Sequence, residues 1–208
     1  MTQQEFTRAR LVSMGLALWM IPSAVLGSIF FTPWKAAASP SPVFSLLYDA
    51  SVFGPFICIV HYLRRYLDEI GFAGASGWVL RVMGAVGALV IILDAGLSFG
   101  LHRTTYDLMM HWQPPLLGLL FLALSLTFFR ATLDLFAYRK KLGKLFFVTG
   151  AGYVTQLFVP AAGAPDQTPS LFGAALFAMG LLALVTETIA YVNISSLFSR
   201  AKQVAKQD

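Results

Sequence analysis

Ionisable side chains are scarce in this sequence, and those that interrupt apolar runs are the places where chemistry can be sought. Asp49 and Asp94 each stand inside a long apolar stretch, and Gln156 stands inside another. Two carboxyl groups at one level can share a proton, because like charges close together favour protonation of one of them. They can equally coordinate a cation or line a solute path. Asp49, Asp94 and Gln156 are therefore the candidate solute- or ion-binding set. Further in, Arg130 and Glu187 stand in two other apolar stretches at nearly equal expected depth, which predicts an ion pair between them. Asp134, one helical turn beyond Arg130, is the competing partner. Such a pair either fixes the register of two helices or acts as the inner gate of a proton or ion relay.

A third group lies in the segment LHRTTYDLMMHWQPP, which carries His102, Asp107 and His111. If the segment is helical, Asp107 and His111 share a face, and with His102 they offer nitrogen and oxygen donors suited to Zn or Cu. The spacing matches no closed zinc motif such as HExxH. Set against the metal reading, Arg103 would pair with Asp107 while Trp112 anchors at the headgroups. No other cofactor is expected: His61 falls at the opposite end of its helix from His102 and His111, which leaves a bis-histidine haem without geometry. Cys58 is the single cysteine, so no internal disulfide or Cys/His zinc spacing exists.

The elements that must position these residues follow from composition. The chain is 57% hydrophobic and 12% charged over 208 residues, about half the charged fraction of a soluble domain, and its mean hydropathy is +0.70. Too little polar surface remains to cover a water-facing globule, so the expected fold class is all-α, a polytopic membrane helix bundle. Six apolar stretches approach the ~20 residues that cross a hydrocarbon core. They lie at about 11–31, 43–67, 78–101, 116–138, 145–162 and 171–198, in one transmembrane domain. The fifth is the shortest. A break is expected at Pro114-Pro115, a kink at Pro55, and close helix contacts at Gly84/Ala88 and Ala174/Ala178. Helices are required because lipid-exposed backbone must satisfy its own hydrogen bonds.

The net charge of +5 bears on orientation instead of nucleic acid, because the basic residues sit between apolar runs. Arg8, Arg10, Arg64, Arg65, Arg81, Arg139, Lys140, Lys141, Lys144, Arg200, Lys202 and Lys206 fall on one side. Only Lys35 and Arg103 fall on the other, which places both termini in the cytoplasm. The run Arg139-Lys140-Lys141 with Lys144 is expected to meet anionic headgroups of the bilayer. A bacterial source would make that bilayer the cell (inner) membrane. Further partners would be other membrane proteins or a second copy of the chain.

No P-loop, dinucleotide fingerprint, serine elbow or selectivity-filter sequence is present. The leading expectation is a small multi-pass protein that binds or moves a solute, ion or proton through a polar cavity in the outer half of the bundle. Behind it stand a non-catalytic subunit or assembly factor of a larger membrane complex and an intramembrane metal-dependent enzyme. Catalysis ranks below binding and transport.

Overall fold

A computed structural model of the chain describes residues 1–30, 42–72, 74–98, 103–131, 135–158 and 171–206. Six α-helices account for nearly all of them: α1 (Gln3–Phe30), α2 (Pro42–Glu69), α3 (Gly74–Ser98), α4 (Arg103–Arg130), α5 (Tyr138–Val154) and α6 (Leu171–Val204). Short 3-10 turns precede and follow α5, at Leu135–Ala137 and Thr155–Phe158. The described residues contain no strand. α1, α2, α3, α4 and α6 are long and apolar enough to cross a membrane, and the chain is a multi-pass membrane helix bundle. α5, with 17 residues, falls short of that length, and its first two turns carry Arg139, Lys140, Lys141 and Lys144.

The two ends of α4 differ most from the sequence expectation. α4 begins at Arg103 and runs through Pro114 and Pro115, where a break was expected; a helix inside a bundle can re-satisfy the carbonyls that proline leaves free. It then ends at Arg130, eight residues before the expected 138, and the basic run becomes the start of α5 instead of a connecting loop. The turn between them carries three successive non-glycine residues with positive φ, Leu135 (43°), Phe136 (54°) and Ala137 (67°). The left-handed region reverses the chain sharply at a cost of ~1–2 kcal/mol per residue.

Each helix packs on its neighbours in sequence, and α6 returns to pack on α1, so the six form a closed ring. Consecutive helices alternate in direction, which brings both chain ends to one end of the ring. There Gln3 Nε2 donates to the Ala205 carbonyl at 3.0 Å, Lys202 Nζ to Thr7 Oγ1 at 2.7 Å, and Arg65 pairs with Glu5. Phe6, Tyr66 and Phe198 join α1, α2 and α6 by edge and tilted ring contacts with centroids 6.0–6.5 Å apart. A second aromatic column, Phe72–Phe128–Phe146–Phe121, joins the α2–α3 turn, α4 and α5. Large apolar side chains also cover the outside, including Leu18, Ile92 and Phe177, all more than 60% exposed. In water such a surface would aggregate, whereas in lipid it is ordinary.

Because lipid tails are as apolar as leucine, burial alone does not hold such helices together; close packing and hydrogen bonds do. Glycines provide the close packing. A Cβ on Gly150 would lie 2.7 Å from the Gly118 carbonyl oxygen, and one on Gly152 would lie 2.7 Å from the Met179 carbonyl oxygen. α5 therefore lies backbone to backbone with α4 on one side and with α6 on the other. Gly84 makes only ordinary contact with Val60, and Ala174 and Ala178 are exposed, so the expected small-residue seams fall elsewhere. Side-chain hydrogen bonds cross the α1–α2, α4–α5 and α6–α1 seams: Trp19 Nε1 to Ser51 Oγ (3.0 Å), Ser125 Oγ to the Gly143 carbonyl (2.7 Å) and Ser195 Oγ to the Arg10 carbonyl (3.1 Å).

Gly150→Ala should lower the thermal midpoint in detergent, since forcing a methyl against backbone costs ~1–3 kcal/mol. Gly15→Ala, where a Cβ meets nothing within 4 Å, should leave the midpoint unchanged or raise it, with a gain in stability of up to ~1 kcal/mol from helix propensity. Equal shifts in the two variants would refute the close crossing as a source of stability.

Candidate functional site

The α2–α3 hairpin explains why Asp49 and Asp94 meet. Asp49 lies 20 residues before the end of α2 at Glu69, and Asp94 lies 20 residues after the start of α3 at Gly74. Equal distances from a short turn put both at one level, ~30 Å from that turn at 1.5 Å per residue. Both are buried, Asp94 to 0% and Asp49 to 5% exposure. Their carboxyl groups are near enough to act on one another electrostatically, and Ser45 Oγ, one turn before Asp49, donates to Asp94 Oδ1 at 2.9 Å. The remaining oxygens, Asp49 Oδ2 and Asp94 Oδ2, are buried without a hydrogen-bond partner. Among the described residues no lysine, arginine or histidine forms an ion pair with either.

Gln156 does not join them. It lies in the 3-10 turn after α5, where its Nε2 is buried without a partner and rests against Gly180 of α6. In the ring, the α5–α6 seam is separated from the α2–α3 seam by α4 on one side and α1 on the other. The expected trio is thus a carboxyl pair plus a separate amide.

The expected Arg130–Glu187 ion pair is not formed. With α4 ending at Arg130, the guanidinium sits exposed at the end of its helix, whereas an end at 138 would have placed it ~12 Å deeper. Glu187 stands near the middle of the 34-residue α6, is 6% exposed, and is held by two phenols. Tyr191 donates to Oε1 at 2.5 Å from one turn along the same helix, and Tyr153 of α5 donates to Oε2. Beside this group, Thr149 and Thr186 bond to each other at 2.9 Å across the α5–α6 seam. Two O–H donors satisfy a buried carboxylate in the absence of a cation. Tyr191 was findable from its four-residue spacing to Glu187; Tyr153 was signalled only by the need of any phenol in an apolar helix to find an acceptor.

Asp134 and His102 lie outside the described residues. Asp107 and His111 belong to the first turns of α4, but their side chains lie outside the described residues as well, and so does the candidate metal site. Among the described residues no three His, Cys, Asp or Glu side chains gather where they could hold a metal ion.

The site thus consists of two polar clusters in an apolar bundle: a carboxyl pair with unpartnered oxygens, and a carboxylate closed by phenols. Comparison with models of protein families, with characterised proteins and with solved structures finds no match.

Tyr153→Phe should destabilise the protein by ~1–3 kcal/mol, the cost of leaving a buried acceptor unsatisfied. Arg130→Gln should stay within ~0.5 kcal/mol, as an exposed side chain away from any pair does. Thermal melts in one detergent check both, and a large loss in Arg130→Gln would restore the ion pair.

Proposed function

We propose that the chain is a six-span membrane protein, with both ends in the cytoplasm, that binds and passes a proton or small cation through the outer half of its bundle at Asp49 and Asp94. The observation that carries this reading is the pair of buried, neighbouring carboxyl groups with an unpartnered oxygen on each. Two such groups hold at most one negative charge cheaply, unless a cation lies between them. A proton or a cation is the ligand that completes them, and Ser45 supplies a third oxygen at the same level. An intramembrane carboxyl group marks an ion or proton path more often than a structural contact.

Six crossings follow if α5 is counted together with its 3-10 extension. Residues 138–158 reach ~33 Å, and with the long basic side chains of the first turns snorkelling to the headgroups the segment can cross a hydrocarbon core of ~30 Å. The basic residues at the start of α5 then belong to the headgroup region on the cytoplasmic side, beside both termini. The Glu187 cluster takes the place of the expected inner gate, with a tyrosine from α5 in place of Arg130.

Two experiments test this reading. In liposomes, Asp49→Asn and Asp94→Asn should each lower proton or monovalent-cation flux at least tenfold. Monovalent-cation flux through the wild type should fall on the acid side as protons compete for the carboxylates, whereas proton flux should not. Unchanged flux in both variants would sink the acidic site. For topology, single cysteines at Lys140 and Phe158 in a Cys58→Ser background should label from opposite sides of the membrane. Labelling from one side would leave five crossings.

A further inference from the structure

The α3–α4 seam is among the more loosely packed in the ring. Near the end that carries the termini it opens into a hollow of about 500 Å³, within the ~300–1,000 Å³ range of small-ligand sites. Phe72, Val79, Ala123 and Leu126 give it apolar walls, and Ser76, Thr127 and Arg130 give it polar groups. The two hydroxyls are already committed, Ser76 Oγ to the Phe72 carbonyl and Thr127 Oγ1 to the Leu124 carbonyl. Arg130 is not committed: it is exposed and, among the described residues, forms no ion pair. It stands at the end of α4, level with the first turns of α3, where Trp78 is exposed on the outside. An exposed tryptophan at a helix end is typical of the headgroup region.

We infer that this hollow is a binding site for an anionic phospholipid. An acyl chain would lie along Val79, Ala123 and Leu126, and the phosphate would meet the Arg130 guanidinium. Charge and shape both favour that occupant. A guanidinium binds a phosphate through parallel N–H donors. The wall beneath it is apolar and faces the surrounding bilayer, so an acyl chain reaches it without crossing water. Basic hollows between membrane helices on the cytoplasmic side are a recurrent way of holding anionic headgroups. Arg130 thereby has a partner that the sequence, which pointed to Glu187, did not suggest. The site is independent of the Asp49–Asp94 pair and stands or falls without it.

The test uses the full chain in vesicles of phosphatidylcholine containing phosphatidylglycerol, extracted into mild detergent, with retained lipid measured by native mass spectrometry. The wild type should retain one phosphatidylglycerol in preference to phosphatidylcholine. Arg130→Gln should reduce that preference about fivefold or more, the equivalent of ~1 kcal/mol for one basic residue near an anionic surface. Arg130→Lys should keep part of it. Ala123→Leu, which narrows the hollow and leaves the charge, should reduce retention of both lipids. Equal retention of the two lipids by the wild type would overturn the proposal. So would undiminished preference in Arg130→Gln, or a preference abolished only by neutralising Arg139, Lys140 and Lys141. Displacement of the lipid by millimolar inorganic phosphate would also overturn it, in favour of a free-anion site. Melts of each variant separate loss of lipid from loss of fold.

Discussion

Hydrocarbon gives apolar side chains no reason to leave it, and the rest of this structure follows from that constraint. Where water would drive leucine and phenylalanine together, lipid leaves them free to face outward, as Leu18, Ile92 and Phe177 do. Cohesion must then come from contact closer than ordinary side chains allow and from polar groups that have no solvent to return to. Gly118, Gly150 and Gly152 supply the first by bringing three backbones together. Ser45, Ser125, Thr149, Thr186 and Ser195 supply the second across four of the seams.

The same constraint gives the two carboxyl clusters opposite characters. Around Glu187 both carboxyl oxygens are met inside the protein by the phenols of Tyr153 and Tyr191, so the group is closed. Around Asp49 and Asp94 the demand is left partly open, and nothing in the described part of the bundle neutralises it. A half-satisfied buried network is ordinarily a defect. On the proposed reading, a proton or cation completes it.

Much of this was legible in the sequence, and the failures have physical reasons. Apolar runs gave the helices, and counting outward from the α2–α3 turn gave the Asp49–Asp94 level, because a tight hairpin ties depth to residue number. The same counting failed for Arg130, since nothing in Phe128–Tyr138 announces a helix end at 130: the reversal uses Leu135, Phe136 and Ala137 in a conformation that usually calls for glycine. The partner of Glu187 on its own helix could be found by spacing, while the one on α5 could not, because the rotation of α5 is set by its glycines. The hollow between α3 and α4 depends on how far two helices diverge, a quantity that no single helix encodes.

Closure of the ring carries a consequence for how the protein is made. Every helix except one packs beside the helix that precedes it, so α2 to α5 can each find a partner as soon as they leave the ribosome. α1 has a second seam that α6 fills, and α6 is the last of the six to emerge. Until then the groups that face it, the Arg10 carbonyl on α1 and Tyr153 and Thr149 on α5, stand at an open edge in the bilayer. A chain stalled or cut before α6 would therefore display an unfinished polar edge, the kind of surface by which a quality-control protease distinguishes an incomplete membrane protein from a finished one.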